Sequence, residues 1–121
     1  MEIYRCNHCG NIAVKLEDHK VPLVCCGEKM ALLEAKSQDA GVEKHLPVVT
    51  RENGKLVVTC GSVLHPMTEE HHIGWLLVTD GKNFQIKYLK PGETPSTTFE
   101  DIPHGEAYSY CNLHGLWKVA F

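Results

Sequence analysis

Six cysteines and eight histidines in a chain of 121 residues are the side chains that could do chemistry here. Four of the cysteines come early, as Cys6-x-x-Cys9, fifteen intervening residues, and the adjacent pair Cys25-Cys26. Four thiolates in a tetrahedral set suit Zn²⁺ or iron, because soft sulfur donors match those ions. Cys6-x-x-Cys9 has the ordinary chelating bite. Neighbouring side chains normally diverge, so Cys25 and Cys26 grip one ion only across a sharp turn, which Gly27 would ease. Spacing specifies metal weakly, so iron, with its ferric–ferrous couple, and a structural zinc knuckle both remain open. A second group lies later: His45, His65, His71, His72, His104, Cys111 and His114. Cys111-x-x-His114 repeats the chelating bite with mixed softness, and a thiolate with imidazoles suits iron, copper or zinc. His8 and His104 read as solvated loop residues. Cys60 shares a strand face with Leu56 and Val58 and reads as a small buried hydrophobe. Trp75 and Trp117 read as core aromatics, with Trp117 close enough to His114 to pack against a metal site.

These donors need elements to hold them. Hydrophobic content of 43% and charged content of 22% describe an ordinary globular chain. A formal charge of −3 excludes a general nucleic-acid binder. The longest strictly apolar run, Trp75 to Val78, is too short to cross a bilayer. Met1 to Cys6 has no basic stretch leading into an apolar one. The expectation is a cytoplasmic protein with reduced thiols, its cysteines serving as ligands rather than disulfides, and with no membrane partner.

A break near Ala35 to Gly41 separates two patterned regions. Residues 1–36 carry short strand signals at Ile3-Tyr4, Ile12 to Leu16 and Val21 to Val24. A unit this small cannot hold itself together by apolar burial alone, so a metal staple is expected. From residue 37 to 121, strand signals recur at Pro47 to Arg51, Lys55 to Thr59, Ile73 to Thr79, Asn83 to Leu89, Thr97 to Phe99, Ala107 to Tyr110 and Trp117 to Phe121. Asn53-Gly54 and Asp80-Gly81 mark hairpins, because these pairs readily adopt positive φ. No segment sustains a 3.6-residue apolar period long enough for a substantial helix. The predicted class is all-β: a metal-stapled small domain, then an immunoglobulin-like antiparallel sandwich of about seven strands.

The motifs, taken in order, resemble those of the desulfoferrodoxin family, the two-iron form of superoxide reductase. Tyr4-x-Cys6-x-x-Cys9-Gly10-Asn11 and Leu23-Val24-Cys25-Cys26-Gly27-Glu28 are similar to its desulforedoxin-type domain. Glu43-Lys44-His45-x-Pro47, Gly61-Ser62-Val63-x-His65-Pro66-Met67 and Tyr110-Cys111-Asn112-Leu113-His114-Gly115 are similar to its catalytic domain. The resemblance implies one iron on Cys6, Cys9, Cys25 and Cys26, and a catalytic iron with His45, His65, His71 and His114 in a plane and Cys111 axial. It assigns the third histidine to His71 rather than His72 by the spacing His-Pro-Met-x-x-x-His. It further implies that the reduced iron gives one electron to superoxide and that hydrogen peroxide is released without dioxygen. Lys44 would attract the anion, Glu43 would close the vacant iron position after oxidation, and a rubredoxin-like protein would resupply the electron to a homodimer. Glu70, where relatives often have Lys, and His72, where an aromatic is common, depart from the pattern. The rival reading is a metal-stabilised electron carrier or zinc-binding interaction module without catalysis; it leaves the histidines idle.

Overall fold

A computed structural model of the chain describes residues 1–39 and 44–121, which fall into two compact units, Met1–Glu34 and Ala35–Phe121. Among the described residues every regular element is a strand. No helix is long and apolar enough to cross a membrane.

The first unit is made of two-residue strands: β1 (Tyr4–Arg5), β2 (Ile12–Ala13), β3 (Val24–Cys25), β4 (Glu28–Lys29) and β5 (Ala31–Leu32). β2, β1 and β5 form one antiparallel sheet, and β3 and β4 form a separate hairpin. The strand expected at Ile12 to Leu16 stops at Ala13, and the one expected at Val21 to Val24 begins only at Val24. Beyond the first, the Lys20 backbone N–H donates to Asp18 Oδ1 at 2.8 Å and makes a turn. Pro22 explains the second, since it has no N–H to donate to a ladder. Ile3 and Cys6 are the buried apolar residues of this unit. Two such side chains are far too few to offset the conformational entropy of ordering the chain.

The second unit is a seven-stranded sandwich, as expected. Its strands are β6 (Pro47–Glu52), β7 (Lys55–Cys60), β8 (Ile73–Thr79), β9 (Phe84–Tyr88), β10 (Ser96–Glu100), β11 (Glu106–Cys111) and β12 (Gly115–Ala120). One antiparallel sheet runs β10-β7-β6 and the other β12-β11-β8-β9. Alternate residues of facing strands build one core: Leu56, Val58 and Cys60 of β7, Leu76 and Val78 of β8, Ala107 and Cys111 of β11, with Phe99 of β10. Burying each large aliphatic side chain here contributes about 1.5–3 kcal/mol. The β6–β7 turn places Asn53 and Gly54 at φ 50° and 74°, the two-residue hairpin that this pair favours. The β8–β9 turn differs from a tight Asp-Gly pair. Thr79 pairs with Phe84, so four residues intervene, and Asp80 Oδ1 caps the loop by accepting from the backbone N–H groups of Lys82 and Asn83, both at 2.8 Å.

Two features of the ladders bear on the site. Pro47 pairs with Cys60, and Cys111 pairs with both Ile73 and Gly115. The start of β6, the end of β7, the start of β8, the end of β11 and the start of β12 therefore gather at one end of the sandwich. The register between β11 and β8 also shifts between Tyr110 and Cys111, where Gly74 is the extra residue of a bulge. Leu76 and Val78 face the core, and the bulge lets Ile73 face it too, despite its odd spacing from them.

Candidate metal centres

Cys6 and Cys9 sit on the loop after β1, where the Gly10 N–H donates to the Cys6 carbonyl at 2.9 Å and Gly10 has φ 84°. The adjacent pair is resolved by a turn. Cys25 pairs with Glu28, and between them Cys26 and Gly27 have φ 53° and 75°. Two successive positive φ values make the tightest hairpin turn, which folds the Cys26 side chain back beside that of Cys25. All four sulfurs lie within 4.8 Å of one another. Cys9 Sγ is 3.6 Å from Cys25 Sγ, and Cys25 Sγ is 3.9 Å from Cys26 Sγ. A tetrahedron with metal–sulfur bonds of about 2.3 Å needs edges of about 3.8 Å, so the donors fit such an ion.

Proton affinities point the same way. Backbone N–H groups of Cys9 and His8 hold the Cys6 thiol down to about 6. Sharing of protons, with Cys9 foremost, pushes Cys25 up and Cys26 up to about 12. Four sulfurs this close cannot all ionise without a cation among them. Asn11 adds two donors, its backbone N–H to Cys9 Sγ at 3.4 Å and its side-chain Nδ2 to Cys25 Sγ at 3.7 Å.

The second donor set occupies the gathered end of the sandwich. His45 precedes β6, His65 and His71 lie on the β7–β8 connection, Cys111 ends β11, and His114 sits in the β11–β12 turn. One donor atom each from His45, His71, Cys111 and His114 lie within 4.8 Å of one another. His65 closes the remaining corner. Its ring centroid is 4.7 Å from those of both His45 and His71. The His114 ring is 4.9 Å from His45 and 5.0 Å from His71. The diagonal from His45 to His71 is 6.5 Å, close to √2 times an edge, so the four rings stand near the corners of a square. Cys111 is fully buried whereas His114 is exposed, which puts the sulfur on the core side.

Hydrogen bonds select which nitrogen each ring offers. His65 Nδ1 donates to the Pro66 carbonyl at 2.8 Å, which leaves Nε2 with the lone pair. His45 Nε2 faces His114 Nδ1 at 3.1 Å, so these are the atoms presented to a shared ion. His72 stands apart from the set: its Nδ1 donates to the Thr68 carbonyl at 3.0 Å and its backbone N–H to Asn112 Oδ1 at 2.9 Å. His8 and His104 are exposed, as expected.

Residues outside the expected set hold His45 and His114. Ser109 Oγ donates to the His45 carbonyl at 2.6 Å, and Cys60 Sγ donates to the same oxygen at 3.3 Å. Burial pushes the Cys60 thiol up to about 12, which keeps it a donor. Trp117 stacks on the His45 ring at 4.5 Å with planes 9° apart, and its Nε1 donates to the His114 carbonyl at 3.2 Å. Lys36 Nζ donates to that carbonyl at 2.9 Å and lies 4.9 Å above the Trp117 ring. The Asp39 carboxylate accepts from the His45 and Leu46 backbone N–H groups and faces His45 Nδ1. Sequence reasoning anticipated the burial of Cys60 and the proximity of Trp117, but not Asp39, Ser109 or Lys36.

Lys44 is half-buried. Gly61, at φ 90°, lies so close that a Cβ there would come 2.6 Å from the Lys44 carbonyl oxygen. Glu43 lies outside the described residues.

A sulfur tetrahedron and, in a separate unit, a histidine square with a buried thiolate define a non-haem metalloprotein with two independent donor sets. Both sets match the iron centres of known proteins. A profile described as Desulfoferrodoxin, N-terminal domain, matches residues 1–33, and one described as Desulfoferrodoxin matches residues 37–120. The chain belongs to the desulfoferrodoxin family. A desulfoferrodoxin of Nitratidesulfovibrio vulgaris is 47% identical over 120 residues, spanning 98% of this chain and 94% of that one. A desulfoferrodoxin homolog of Archaeoglobus fulgidus is 45% identical over 119 residues, spanning 98% and 95%. Among solved structures, the superoxide reductase from Treponema pallidum superposes with a TM-score of 0.80 at 30% identity, covering 98% of this chain and 96% of that one.

Proposed function

We propose that this chain reduces superoxide to hydrogen peroxide at an iron held by His45, His65, His71, His114 and Cys111, with a second iron on Cys6, Cys9, Cys25 and Cys26. The observation that carries this reading is the near-square of four imidazole rings with the Cys111 thiolate on the core side. These five side chains would hold an iron and would leave room for a small anion to reach it. When bound, ferrous iron supplies one electron there, and four neutral imidazoles with one thiolate give the centre a net charge of +1, attractive to an anion. Superoxide takes that electron and two protons and leaves as hydrogen peroxide, with no dioxygen formed.

The chain's own residues do the rest. Lys44 draws the anion toward the open face, and its ammonium group donates hydrogen bonds to the oxygen on which charge develops. Water ordered by Lys44 Nζ supplies protons. Glu43, the residue before Lys44 in the chain, would supply a carboxylate to the oxidised centre and offset its added positive charge. Domains 1–36 and 37–121 each carry one centre. The electron comes from a rubredoxin-like donor, and the protein works as a cytoplasmic homodimer.

Rapid mixing of the reduced, iron-loaded protein with superoxide tests this reading, with peroxide and oxygen followed together and iron counted per chain. Peroxide without stoichiometric oxygen is expected from a coloured protein with two irons. Oxygen released as in dismutation, or a colourless zinc-loaded protein inert to superoxide, overturns it.

A further inference from the structure

We infer that Asp39 is a positioning residue of the His–Cys centre, setting both how tightly that centre keeps its metal and how readily it is reduced. The inference rests on the proposed iron site but concerns a residue outside the ligand set. Asp39 lies in the stretch that the sequence marks only as a break between two patterned regions. Its side chain is nonetheless 11% exposed, and it faces a His45 side chain that is 7% exposed.

A buried carboxylate is costly unless its oxygens are satisfied. Here Oδ1 and Oδ2 accept from the His45 backbone N–H at 3.0 and 3.1 Å, and Oδ2 accepts from the Leu46 N–H at 2.9 Å. The same Oδ1 stands 3.5 Å from His45 Nδ1. The opposite ring nitrogen, Nε2, is the one that faces the other donors. At 3.5 Å this contact is electrostatic: a negative charge beside Nδ1 favours the tautomer that carries its proton there and its lone pair on Nε2. Backbone and ring face of His45 are held: Asp39 accepts from the N–H and stands beside Nδ1, Ser109 and Cys60 donate to the carbonyl, and Trp117 covers the face. Of these contacts, that of Asp39 alone brings a full negative charge to the ring. A negative charge one imidazole away from an iron stabilises the ferric over the ferrous form, in addition to holding the ligand in place.

Asp39→Asn removes the charge and keeps an oxygen acceptor for the backbone N–H groups. In the full, iron-loaded protein this variant is expected to lose ferrous iron from the His–Cys centre to a chelator about ten- to a hundred-fold faster than the parent. Its midpoint potential at that centre is expected to shift upward. The Cys₄ centre of the same molecule serves as the control and should keep its iron and its spectrum. Trp75 and Trp117 both lie in the second unit, so their fluorescence melt reports whether the sandwich is intact. Asp39→Glu keeps the charge with a different reach, and its rate of iron loss is expected to fall between those of the parent and Asp39→Asn; it decides the matter if the asparagine variant does not fold. A folded variant with parental iron retention and parental potential overturns the inference while leaving the proposed function standing. A parent that never holds iron in the His–Cys centre overturns both.

Discussion

Gly61 shows how a residue with no side chain governs one with a charge. Its φ of 90° and the 2.6 Å that a Cβ would leave to the Lys44 carbonyl oxygen make glycine necessary there. Gly61→Ala is expected to destabilise the second unit by about 1–3 kcal/mol, as forced left-handed positions do, measured by chemical denaturation. The variant should also react more slowly with superoxide, because the Val63 and Lys44 carbonyls, which a Cβ would crowd, must give way. Removing the Lys44 charge directly should separate position from electrostatics. Lys44→Ala is expected to slow the second-order reaction by about tenfold or more and to flatten its dependence on ionic strength. A rate that stays constant in the variant and responds to salt as in the parent would remove the steering role. Composition and spacing marked the cysteine and histidine clusters, whereas the choice of His45, His65, His71 and His114 came from the family resemblance. Asp39 was not legible, since a carboxylate that supports a ligand from a linker obeys no spacing rule. Ser109 looks like any polar residue on a strand until its partner across the sandwich is known.

Hairpins in this chain are set by residues with positive φ, and one is catalogued only by its chemistry. Asn53-Gly54 announces its turn in the sequence, whereas Cys26-Gly27 makes the same turn with a metal ligand in the left-handed position. Gly27 pointed to a sharp turn at the cysteine pair but not to the strand β4 that leaves it. Strands of two residues have no periodicity to read, which is why β4 and β5 were absent from the expectation. The strands of the sandwich run for five to seven residues, rich in β-branched and aromatic side chains and bounded by turn residues, and were legible. The β8–β9 loop carries its own pH dependence. Hydrogen bonds from the Asn83 and Lys82 backbone N–H groups hold the Asp80 carboxyl below its usual range. A carboxyl depressed in the folded state stabilises above its unfolded value of about 3.9, and that contribution is lost as pH falls through the folded value. Asp80→Ala should therefore melt below the parent at neutral pH, and the gap between the two melting temperatures should close in acid. A gap that is constant across that range would show that the carboxylate charge plays no part.

The whole molecule joins a unit with almost no apolar core to one with a continuous core. The first unit buries Ile3 and Cys6, while the second has a continuous core across two sheets. Stripping metal with a strong chelator is expected to unfold residues 1–34 and to leave the sandwich cooperative, with hydrogen exchange resolving the two parts. Protection persisting throughout the first unit after metal removal would mean that its short strands are more self-sufficient than their burial implies. The bulge at Gly74 ties the sandwich to its chemistry by simple parity. Because successive side chains of a strand alternate in direction, one surplus residue inverts everything upstream of it. Ile73, the first residue of β8, takes the inward phase, and the connection that carries His71 leads straight into it. Shortening the chain by that single glycine would leave most of the sandwich recognisable, yet it would turn Ile73 out of the core and drag with it the connection that carries one corner of the histidine square.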